Sequence, residues 1–556
     1  MKRTIITIIL SIVAAGVHAQ SPYDLMQLSE NKYGGTARTV AMGNAFTALG
    51  GDLGSVTINP AGSAVAKYSQ FSITPGLSIS ANTSKGTILP DGTTPYFNRE
   101  LKNTKTDFNM PNIGLSMNVN TGRKTGLKNV SIGFIANTTN DWNEDIYAAG
   151  KNTSYTSFMG AMAANAHKNG YTGTMLTADD PYSNPHLDWA TITGYNCFMI
   201  DNIKEGDVII DNVFAGASEV VLKNQDIIVP APLEQSYGRR KEGNKSEYIF
   251  NLAANFSDFV YVGLNLGFIS VNYNFMEYVK EGAVNSIEFP TMKFEDEKGN
   301  EVQGYFNNMK YNYQYNTYGT GYFAKLGVLV TPFAGLRIGA AIQTPTTMHM
   351  NEGWIYSGST TFGIQGSGGN ETFSSESPEG KNKYNYSSPY RANFGLAYTF
   401  GKWGIISADY ELCDFSTMKY FNSKYSNDLD VSDEMNQHIM EIMGVSHMLR
   451  TGIEIRPLTG FSVRGGYGLT TSALKDAPFT HSISFGLGYS SNDSFFADAA
   501  CRTTLTPPEY FMIYDNYIGS TDPDTGDFIP DIKHLSPEIR NISSLWEILI
   551  TFGWRF

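Results

Sequence analysis

Long apolar runs are missing from most of this sequence. Beyond residue 19, no stretch of about 18 or more residues is apolar, which excludes a transmembrane helix from that part of the chain. Cysteine is scarce, since the chain contains only Cys197, Cys413 and Cys501. Their odd number and wide spacing argue against a disulfide framework and against a zinc site.

Signatures of catalysis are missing as well. The sequence contains no GxSxG, HExxH or CxxC motif, and its eight histidines lack metal-ligand spacing. Asp522, Asp524 and Asp527 flank Gly526 at the wrong offset for a calcium-binding loop, so a solvated acidic turn is the preferred interpretation. We therefore expect no catalytic residues, no metal and no cofactor. The net charge of −13 argues against nucleic acid as a partner.

The N-terminus has the form of a secretory signal. Met1-Lys2-Arg3 precedes an apolar run of about 14 residues, which is shorter than the roughly 20 needed to span a bilayer. Val17-His18-Ala19 supplies a small-x-small cleavage site. We predict that residues 1–19 are a signal peptide and that the mature chain begins at Gln20.

The rest of the sequence shows alternation with a period of two. Apolar and polar residues alternate in fourteen segments bounded by turn residues. An even number of such segments is typical of a bacterial transmembrane β-barrel, and the 33 Tyr and 33 Phe would supply its aromatic girdles. The segments are 71–79, 113–119, 130–134, 248–256, 260–268, 322–330, 336–342, 390–400, 406–412, 449–455, 461–469, 483–489, 495–505 and 546–556.

The connections between these segments are alternately long and short. Outer-membrane barrels have short periplasmic turns and long outer loops, so this pattern places both termini in the periplasm. The expected fold class is therefore all-β: a 14-stranded antiparallel transmembrane β-barrel over residues 68–556 in the cell outer membrane. Connection 141–245 is too long for a simple loop and predicts a large extracellular insert. Residues 357–381, rich in Gly, Ser and Glu, predict a mobile loop.

Two segments change the phase of their apolar residues. In 258–278 the apolar set moves from even positions to odd ones, and in 309–330 it moves from odd to even. A slip of one residue would turn the apolar face inward unless an extra residue compensates for it. We therefore predict β-bulges near Ser270 and Thr317.

The stretch from Gly34 to Ala64 is rich in Gly and Ala and too small-residued to form a core of its own. Because a barrel of fourteen strands leaves a wide lumen, residues 20–67 are predicted to form an N-terminal lumenal plug. This stretch resembles the N-terminal signature of the FadL/OmpP1/TodX outer-membrane transporters of hydrophobic compounds. The resemblance rests on Gly35, Ala37, residues 41–48, Asp52 and the plug motif Asn59, Pro60, Ala61 and Gly62.

A set of charged residues faces away from lipid by its phase in the strands. An outward Arg would cost about 2–4 kcal/mol at the bilayer midplane, so these residues are expected to line the lumen. We interpret them as a charge network that holds the plug, and a polar ion pore is the alternative. The network comprises Arg337, Arg391, Asp409, Glu411, Arg450, Glu454, Arg464, Asp498 and Arg502, with Arg391 expected to pair with Asp409 or Glu411.

The last segment ends on an aromatic residue, Phe556, after one apolar face that begins at Trp546. This ending resembles the C-terminal assembly signal that the outer-membrane assembly machinery reads. The alternative is an ordinary edge strand at the end of the chain.

The family resemblance implies passive uptake of hydrophobic small molecules, such as long-chain fatty acids or aromatic hydrocarbons, with lateral release into the membrane. Pro75, Pro111 and Pro345 are the candidate strand kinks for such an exit, because proline removes a ladder donor. The alternative is a FadL-like barrel that acts in protein secretion or surface protein binding through 141–245. An outer-membrane enzyme is a third, weaker hypothesis. Expected partners are the hydrophobic ligand, outer-membrane lipid and lipopolysaccharide, with the chain acting as a monomer.

Overall fold

The computed structural model describes residues 21–556 except 88–96, 155, 206–207, 222–226, 296–300, 367, 424–430, 476, 492–493, 518, 522–527 and 531–535. The predicted signal peptide and the acidic turn at Asp522, Asp524 and Asp527 therefore lie outside the described residues. Within the described chain, fourteen strands form a closed antiparallel barrel in which neighbours in sequence pair and the last pairs with the first. The predicted 14-stranded antiparallel barrel is confirmed.

The bounds of these strands bracket all fourteen alternating segments of the sequence to within a residue or two. They are β1 (Gln70–Gly86), β2 (Leu101–Asn120), β3 (Leu127–Asp141), β4 (Leu233–Phe256), β5 (Val260–Ala283), β6 (Glu301–Phe333), β7 (Leu336–Gln343), β8 (Arg391–Thr399), β9 (Gly404–Asp414), β10 (Val445–Leu458), β11 (Phe461–Thr470), β12 (Thr480–Ser490), β13 (Phe495–Leu505) and β14 (Glu538–Arg555).

The outward face of the barrel carries an apolar band between two aromatic belts. On β14, Trp546 and Trp554 mark the two belts, and Ile548, Ile550 and Phe552 between them are 39–44% exposed. Eight residues of strand span roughly 27 Å at about 3.4 Å each, before tilt. Because a transmembrane barrel has an apolar band about 25 Å tall with aromatic girdles at both edges, this band is the membrane-spanning zone.

The short turns lie at the Trp554 edge of the band, and both ends of the barrel lie there too. The backbone groups of Ser69 and Phe556 bond to each other in both directions, each at 3.0 Å, and complete the junction of β1 with β14. Ser257 and Asp258 adopt positive φ values of 60° and 55° in the tight turn that joins β4 to β5. The Phe556 side chain is 69% exposed.

Residues 21–66, which we call the lumenal segment, lie inside the barrel. The segment contains α1 (Pro22–Ser29), α2 (Ala37–Ala41) and 3-10 turns at Leu53–Thr57 and Pro60–Val65. Residues 60–65 contact β3, β4, β5 and β6, whereas α2 contacts β11 to β14 on the other side. The segment therefore spans the lumen from wall to wall.

Beyond the Trp546 edge the barrel wall continues in further strands. These are Glu144–Asn152, Thr347–Ile364, Gly380–Ser387, Lys419–Asn422 and Glu509–Met512, with the added strands Thr291–Glu295 and Asn370–Glu376. The prediction of a mobile loop at 357–381 is wrong, because Ser357–Gly363 pairs with Asn370–Glu376 as a hairpin. Both of its faces are rich in Ser, Thr and Gly, so it lacks the alternation by which a half-buried strand is recognised.

Region 141–245 contains most of the helical structure outside the lumen. It includes α3 (Phe158–Lys168), α4 (Gly173–Leu176), a 3-10 turn at Pro181–Ser183 and α5 (Trp189–Asn196), with strands Ile200–Glu205, Val208–Gly216, Val220–Val221 and Ile227–Ile228. It packs over the barrel top, where the rings of Phe158 and Tyr311 lie 4.8 Å apart. Elsewhere lie α6 (Ser432–Ile442), 3-10 turns at Ser286–Glu288 and Phe415–Thr417, and the short strands Gly519–Thr521 and Phe528–Pro530. No helix of the described residues is both long and apolar enough to cross a membrane.

The predicted β-bulges near Ser270 and Thr317 are wrong. Strand β5 pairs with β4 and β6 without a register shift along its whole length, so Ser270 faces Ser246 and Thr320. Thr317 likewise faces Tyr273 and Glu352 in unbroken ladders. The apolar set changes phase because the inward side chains become apolar in the upper lumen, from Ile269 onward.

Candidate functional site: the lumen and its wall

The lumenal segment keeps its shape through capping side chains together with a small apolar cluster that includes Met42, Phe46, Leu49 and Ile58. In a capping box at the start of α1, Ser21 Oγ accepts from the N–H of Asp24 at 3.3 Å and Asp24 Oδ2 accepts from the N–H of Ser21 at 3.0 Å. Further along, Asp52 Oδ1 accepts from the Thr36 and Thr39 hydroxyls at 2.6 and 2.7 Å. Such short elements leave many buried carbonyls without a partner inside the segment, so the wall must supply donors.

Five cations of the barrel wall donate to backbone carbonyls of the lumenal segment. Each is an inward side chain of a strand, and each satisfies an oxygen that the irregular backbone leaves unpaired. Charged donors make stronger hydrogen bonds than neutral ones, so these contacts fasten the segment to the wall. The pairs are Lys245 with Leu28 (3.0 Å) and Glu30 (2.5 Å), Lys325 with Thr57 (2.7 Å), Arg337 with Leu49 (2.6 Å), Arg391 with Ser29 (2.6 Å) and Arg502 with Tyr33 (2.8 Å).

The Asn59-Pro60-Ala61-Gly62 motif lies against the inner wall at β4 to β6. Asn59 Nδ2 donates to Thr47 O at 2.6 Å and to Val328 O of β6 at 3.1 Å, while its Oδ1 accepts from the Ala61 N–H at 3.0 Å. The wall provides room through two glycines: a Cβ at Gly327 would lie 2.0 Å from Asn59 Oδ1, and one at Gly263 would lie 2.4 Å from Ala61 N. The motif is thus a close backbone-to-wall joint. Gly62 accepts at its carbonyl from the Gly51 N–H at 2.8 Å.

Four residues of the charge network form one buried cluster. Arg391 pairs with Glu411 at 2.9 Å, and Arg450 lies 3.4 Å from Glu411 and 3.8 Å from Asp409. Asp409 Oδ2 also accepts from both the N–H and the hydroxyl of Thr47, each at 2.7 Å. These side chains are 5% exposed or less, so the cluster is dry and is shared between the wall and the lumenal segment.

A second cluster surrounds Glu454. Its carboxylate pairs with Arg464 at 2.7 Å, with Arg38 of the lumenal segment at 2.9 Å and with Arg456 at 2.6 Å, and Arg464 reaches Asp498 at 2.5 Å. Breaking a buried pair by removing one partner typically costs about 3–5 kcal/mol, because a charge is left uncompensated. Two further network residues stand apart from both clusters: Arg337, which bonds to Leu49, and Arg502, which pairs with Glu547 at 2.6 Å.

Sequence reasoning missed several lumen residues. Lys325 has the inward phase of its strand and could have been found from that signal, whereas Lys245 lay within the predicted insert. Tyr33 and Arg38 belong to the lumenal segment, where no strand phase indicates direction. The Tyr33 ring lies under Arg450 at 5.0 Å and Lys325 at 6.0 Å, in cation–π geometry.

The barrel wall opens between β2 and β3 inside the membrane-spanning zone. These strands pair only from Asn112 with Asn137 down to Asn120 with Asn129. Above that level β2 stays paired with β1, with a register shift opposite Pro75, and β3 stays paired with β4. Pro111 stands at the parting, where it cannot donate to a ladder. On β1, Pro75 lies midway between Phe71 and Ile79, which face Trp554 and Trp546, so the opening starts near the centre of the apolar band.

The lumenal segment covers the edge of β3 that β2 leaves free. The N–H of Lys32 donates to Thr139 O at 2.6 Å, and the N–H of Gly34 donates to Thr138 O at 3.2 Å. Gly34 is required by this close approach, since a Cβ there would lie 2.4 Å from Thr138 O. Tyr33, between these two residues, packs its ring against Arg450 and Lys325 in the lumen. Residues 32–34 therefore contact both the free edge of β3 and the charged residues of the lumen.

Above the lumenal segment the interior of the barrel is apolar. Inward residues of the wall pack there with Leu25 and Leu28 of α1 and with Met435, Ile439 and Met443 in and just after α6. Methionine adapts its shape readily, which suits contact with apolar molecules of varied outline. We call this region the apolar layer; its wall members include Ile269, Val271, Tyr273, Tyr315, Met348, Met350, Trp354, Tyr384 and Tyr386. The cavity between its lower edge and Arg391 is about 10 Å³, enough for about one water molecule.

The fold and this site define a class: a 14-stranded transmembrane β-barrel whose lumen holds its own N-terminal segment, with a charged lower level and an apolar upper level. No family model and no curated protein match the chain. Among solved structures, it is similar to the toluene transporter TodX of Pseudomonas putida, with 9% identity, 94% of this chain and 99% of that chain covered, and a TM-score of 0.47. A FadL homologue of Pseudomonas aeruginosa shows 9% identity, 95% and 100% coverage and a TM-score of 0.47. The toluene transporter TbuX of Ralstonia pickettii shows 13% identity, 94% and 99% coverage and a TM-score of 0.42.

Proposed function

We propose that this protein is a monomeric outer-membrane uptake channel for hydrophobic small molecules, such as long-chain fatty acids or aromatic hydrocarbons, and that it releases them sideways into the membrane. The supporting observation is the parting of β2 from β3 in the middle of the apolar band. An opening at that depth leads to hydrocarbon rather than to water. A polar solute would gain nothing from such an exit.

The two levels of the lumen support the same direction of travel. The charge clusters and the lumenal segment act as a plug that closes the lower lumen to ions and apolar molecules, because burying apolar cargo there would break paired charges. The apolar layer above takes up the ligand, and the β3 edge beside Gly34 lies at the boundary between the levels. The ligand path therefore turns from the apolar layer into the wall.

Uptake by cells tests this proposal directly. Cells without their own fatty-acid channel should accumulate a labelled long-chain fatty acid several times faster when they make this barrel. Val271→Asp places a carboxylate in the apolar layer and should remove most of that gain, whereas Val271→Ile should keep it. Folded protein is equalised by the mobility difference between unboiled and boiled samples. No gain for the wild type, or equal uptake by the two variants, would contradict the proposal.

A further inference from the structure

A strip of outward side chains runs up β6 and its neighbours, and its chemistry changes with height. At the bottom, within the apolar band, Leu326 and Ile342 are 59% and 55% exposed. Tyr322, 60% exposed, continues the aromatic belt, and Tyr318, two outward positions higher, is 57% exposed. Every outer-membrane barrel shows apolar and aromatic levels of this kind, so they locate the strip but do not identify a ligand.

Directly above the belt the strip presents imidazole and ammonium groups. His349 is exposed, and its ring is held by a hydrogen bond of 2.7 Å between Nδ1 and Asn385 Oδ1. In the ladder Asn385 lies opposite His349, and Lys383 lies opposite Asn351, one step higher on the same face. Lys383 is exposed and forms no ion pair with a described residue, whereas its neighbour Lys381 pairs with Glu379 at 2.7 Å.

Higher still, the strip becomes a groove of hydroxyl and amide groups. The groove has a volume of about 380 Å³ on the wall. Asn312 Nδ2 donates to Ser357 Oγ at 3.1 Å across its floor. Small hydroxyl side chains leave the space open, and one ammonium and one carboxylate stand at its margins. Its outward lining comprises Lys310, Asn312, Ser357, Ser359, Ser374 and Glu376.

We propose that this strip binds one anionic glycolipid of the outer leaflet, with its acyl chains on Leu326 and Ile342, a headgroup phosphate at His349 and Lys383, and its sugars in the groove. The order of groups along such a lipid is hydrocarbon, phosphorylated sugar and neutral sugar, which is the order of the strip. From Tyr322 to Lys310 the strand runs roughly 40 Å at about 3.3 Å per residue, enough to contact all three parts. The chemistry is complementary, because the Lys383 ammonium and an imidazole N–H donate to phosphate oxygens.

This inference rests on the outer-membrane placement in the proposed function and not on uptake. Two measurements on folded, full-length barrel test it. Purified lipopolysaccharide is the probe, and the phosphoglycolipid retained per barrel after detergent washing is counted by mass spectrometry. His349→Phe with Lys383→Glu should retain at least threefold less than wild type, because the aromatic ring stays but the phosphate donors go. Lys402→Glu, in an exposed turn at the other edge of the band, is the matched control and should retain as much as wild type.

Photo-crosslinking gives the second readout. A photoreactive residue at Asn351 should crosslink to the glycolipid at least threefold more than one at Ile542. The two positions are matched in height. Asn351 lies opposite Tyr318, four residues above belt residue Tyr322, and Ile542 lies four residues above belt residue Trp546. Equal retention by both charge variants, or equal crosslinking at the two positions, overturns the inference. Fatty-acid uptake by the double variant should equal that of wild type. Failure of the uptake proposal is therefore seen in the uptake assay, and failure of the glycolipid site is seen in retention and crosslinking.

Discussion

The backbone N–H of Lys32 lies 2.6 Å from the carbonyl oxygen of Thr139 and donates a hydrogen bond to it. This bond joins the lumenal segment to the one edge of β3 that its neighbour has left. An unpaired strand edge in a membrane is costly, because no water is present to satisfy its backbone groups. The lumenal segment therefore satisfies part of the free edge of β3 at the wall opening.

Gly34 is expected to control that contact. Gly34→Ala would place a Cβ 2.4 Å from Thr138 O, so residues 32–34 should move off the β3 edge. Labelling of an introduced Thr138→Cys by a maleimide should then rise at least threefold over the parent. Gly363→Ala is the control, because its nearest neighbour would be 3.6 Å away. Unchanged labelling would show that the edge contact does not depend on Gly34.

The Asn59-Pro60 joint is expected to hold the plug. Asn59→Ala with Pro60→Ala removes the donors to Thr47 O and Val328 O, and each buried carbonyl left unsatisfied costs about 1–3 kcal/mol. The barrel ladder is untouched, so the variant should fold but change fatty-acid uptake or leak a small hydrophilic antibiotic. Asn255→Ala, whose amide serves only the β4–β5 turn, is the control. If uptake and permeability both match wild type at equal folded protein, the motif is a structural joint only.

Stability of the region above the barrel should depend on pH through Glu219. Burial raises the pKa of Glu219 to about 7, although the Gly216 N–H and the Tyr517 hydroxyl donate to it. Because the folded state binds this proton more tightly, its contribution is full below the ordinary pKa of 4.5 and is lost as pH rises through about 7. The rise of the Glu219 pKa from 4.5 to about 7 corresponds to a contribution of about 3 kcal/mol to the free energy of unfolding.

Limited proteolysis of region 141–232 measures that dependence. Cleavage should be faster at pH 8 than at pH 5.5, and Glu219→Gln should flatten the difference because it stays neutral. Exposed Glu234→Gln should keep the wild-type dependence. A Glu219→Gln protein with the full dependence would assign the effect to another group.

Phe556 is expected to act in assembly through its side chain. Deleting Phe556 removes both an aromatic ring and the two backbone bonds to Ser69, whereas Phe556→Ala removes the ring alone. Both variants should lower the amount of folded barrel in the outer membrane, measured by gel mobility. If Phe556→Ala reaches normal levels and only the deletion is reduced, the effect comes from the two backbone bonds to Ser69 and the role of the side chain is contradicted.

The barrel could be read from the sequence because lipid imposes one rule on the outward face of every strand. That rule does not apply to inward positions. From Ile269 onward the inward side chains belong to the apolar layer, so the apolar residues shift from the outward to the inward positions of the strand. In the sequence this shift has the same form as a β-bulge, and the bulge prediction is wrong for that reason. The alternation fails again at Ser357–Gly363, because the inward residues Gly358 and Thr360 are buried but carry no large apolar side chain. The strand count is thus predictable, and the strand ends above the membrane are not.

The site was only partly predictable, because its contacts join residues far apart in the chain. The strand phase identified Arg391, Asp409 and Glu411 as inward, but not that wall cations bond to backbone oxygens such as Ser29 O. The sequence offers Pro75, Pro111 and Pro345 as candidate kinks. The separation of β2 from β3 occurs where Pro75 and Pro111 lie at the same height on the neighbouring strands β1 and β2, which the sequence alone does not show. At Pro345 the ladder to β6 resumes at once, with Tyr322 opposite Thr347.

The most direct measurement of the central claim is fatty-acid uptake with the wall opening locked shut. Thr138 Oγ1 lies 3.4 Å from Met110 O across the opening, so Met110→Cys with Thr138→Cys, in a Cys501→Ser background, should form a disulfide there. Ser116→Cys with Ser131→Cys is the control, because those hydroxyls lie 2.8 Å apart where β2 and β3 remain paired. Oxidation should lower uptake at least fivefold in the first variant, reductant should restore it, and the control should be unaffected. Wild-type uptake through the oxidised, locked barrel would contradict lateral release between β2 and β3.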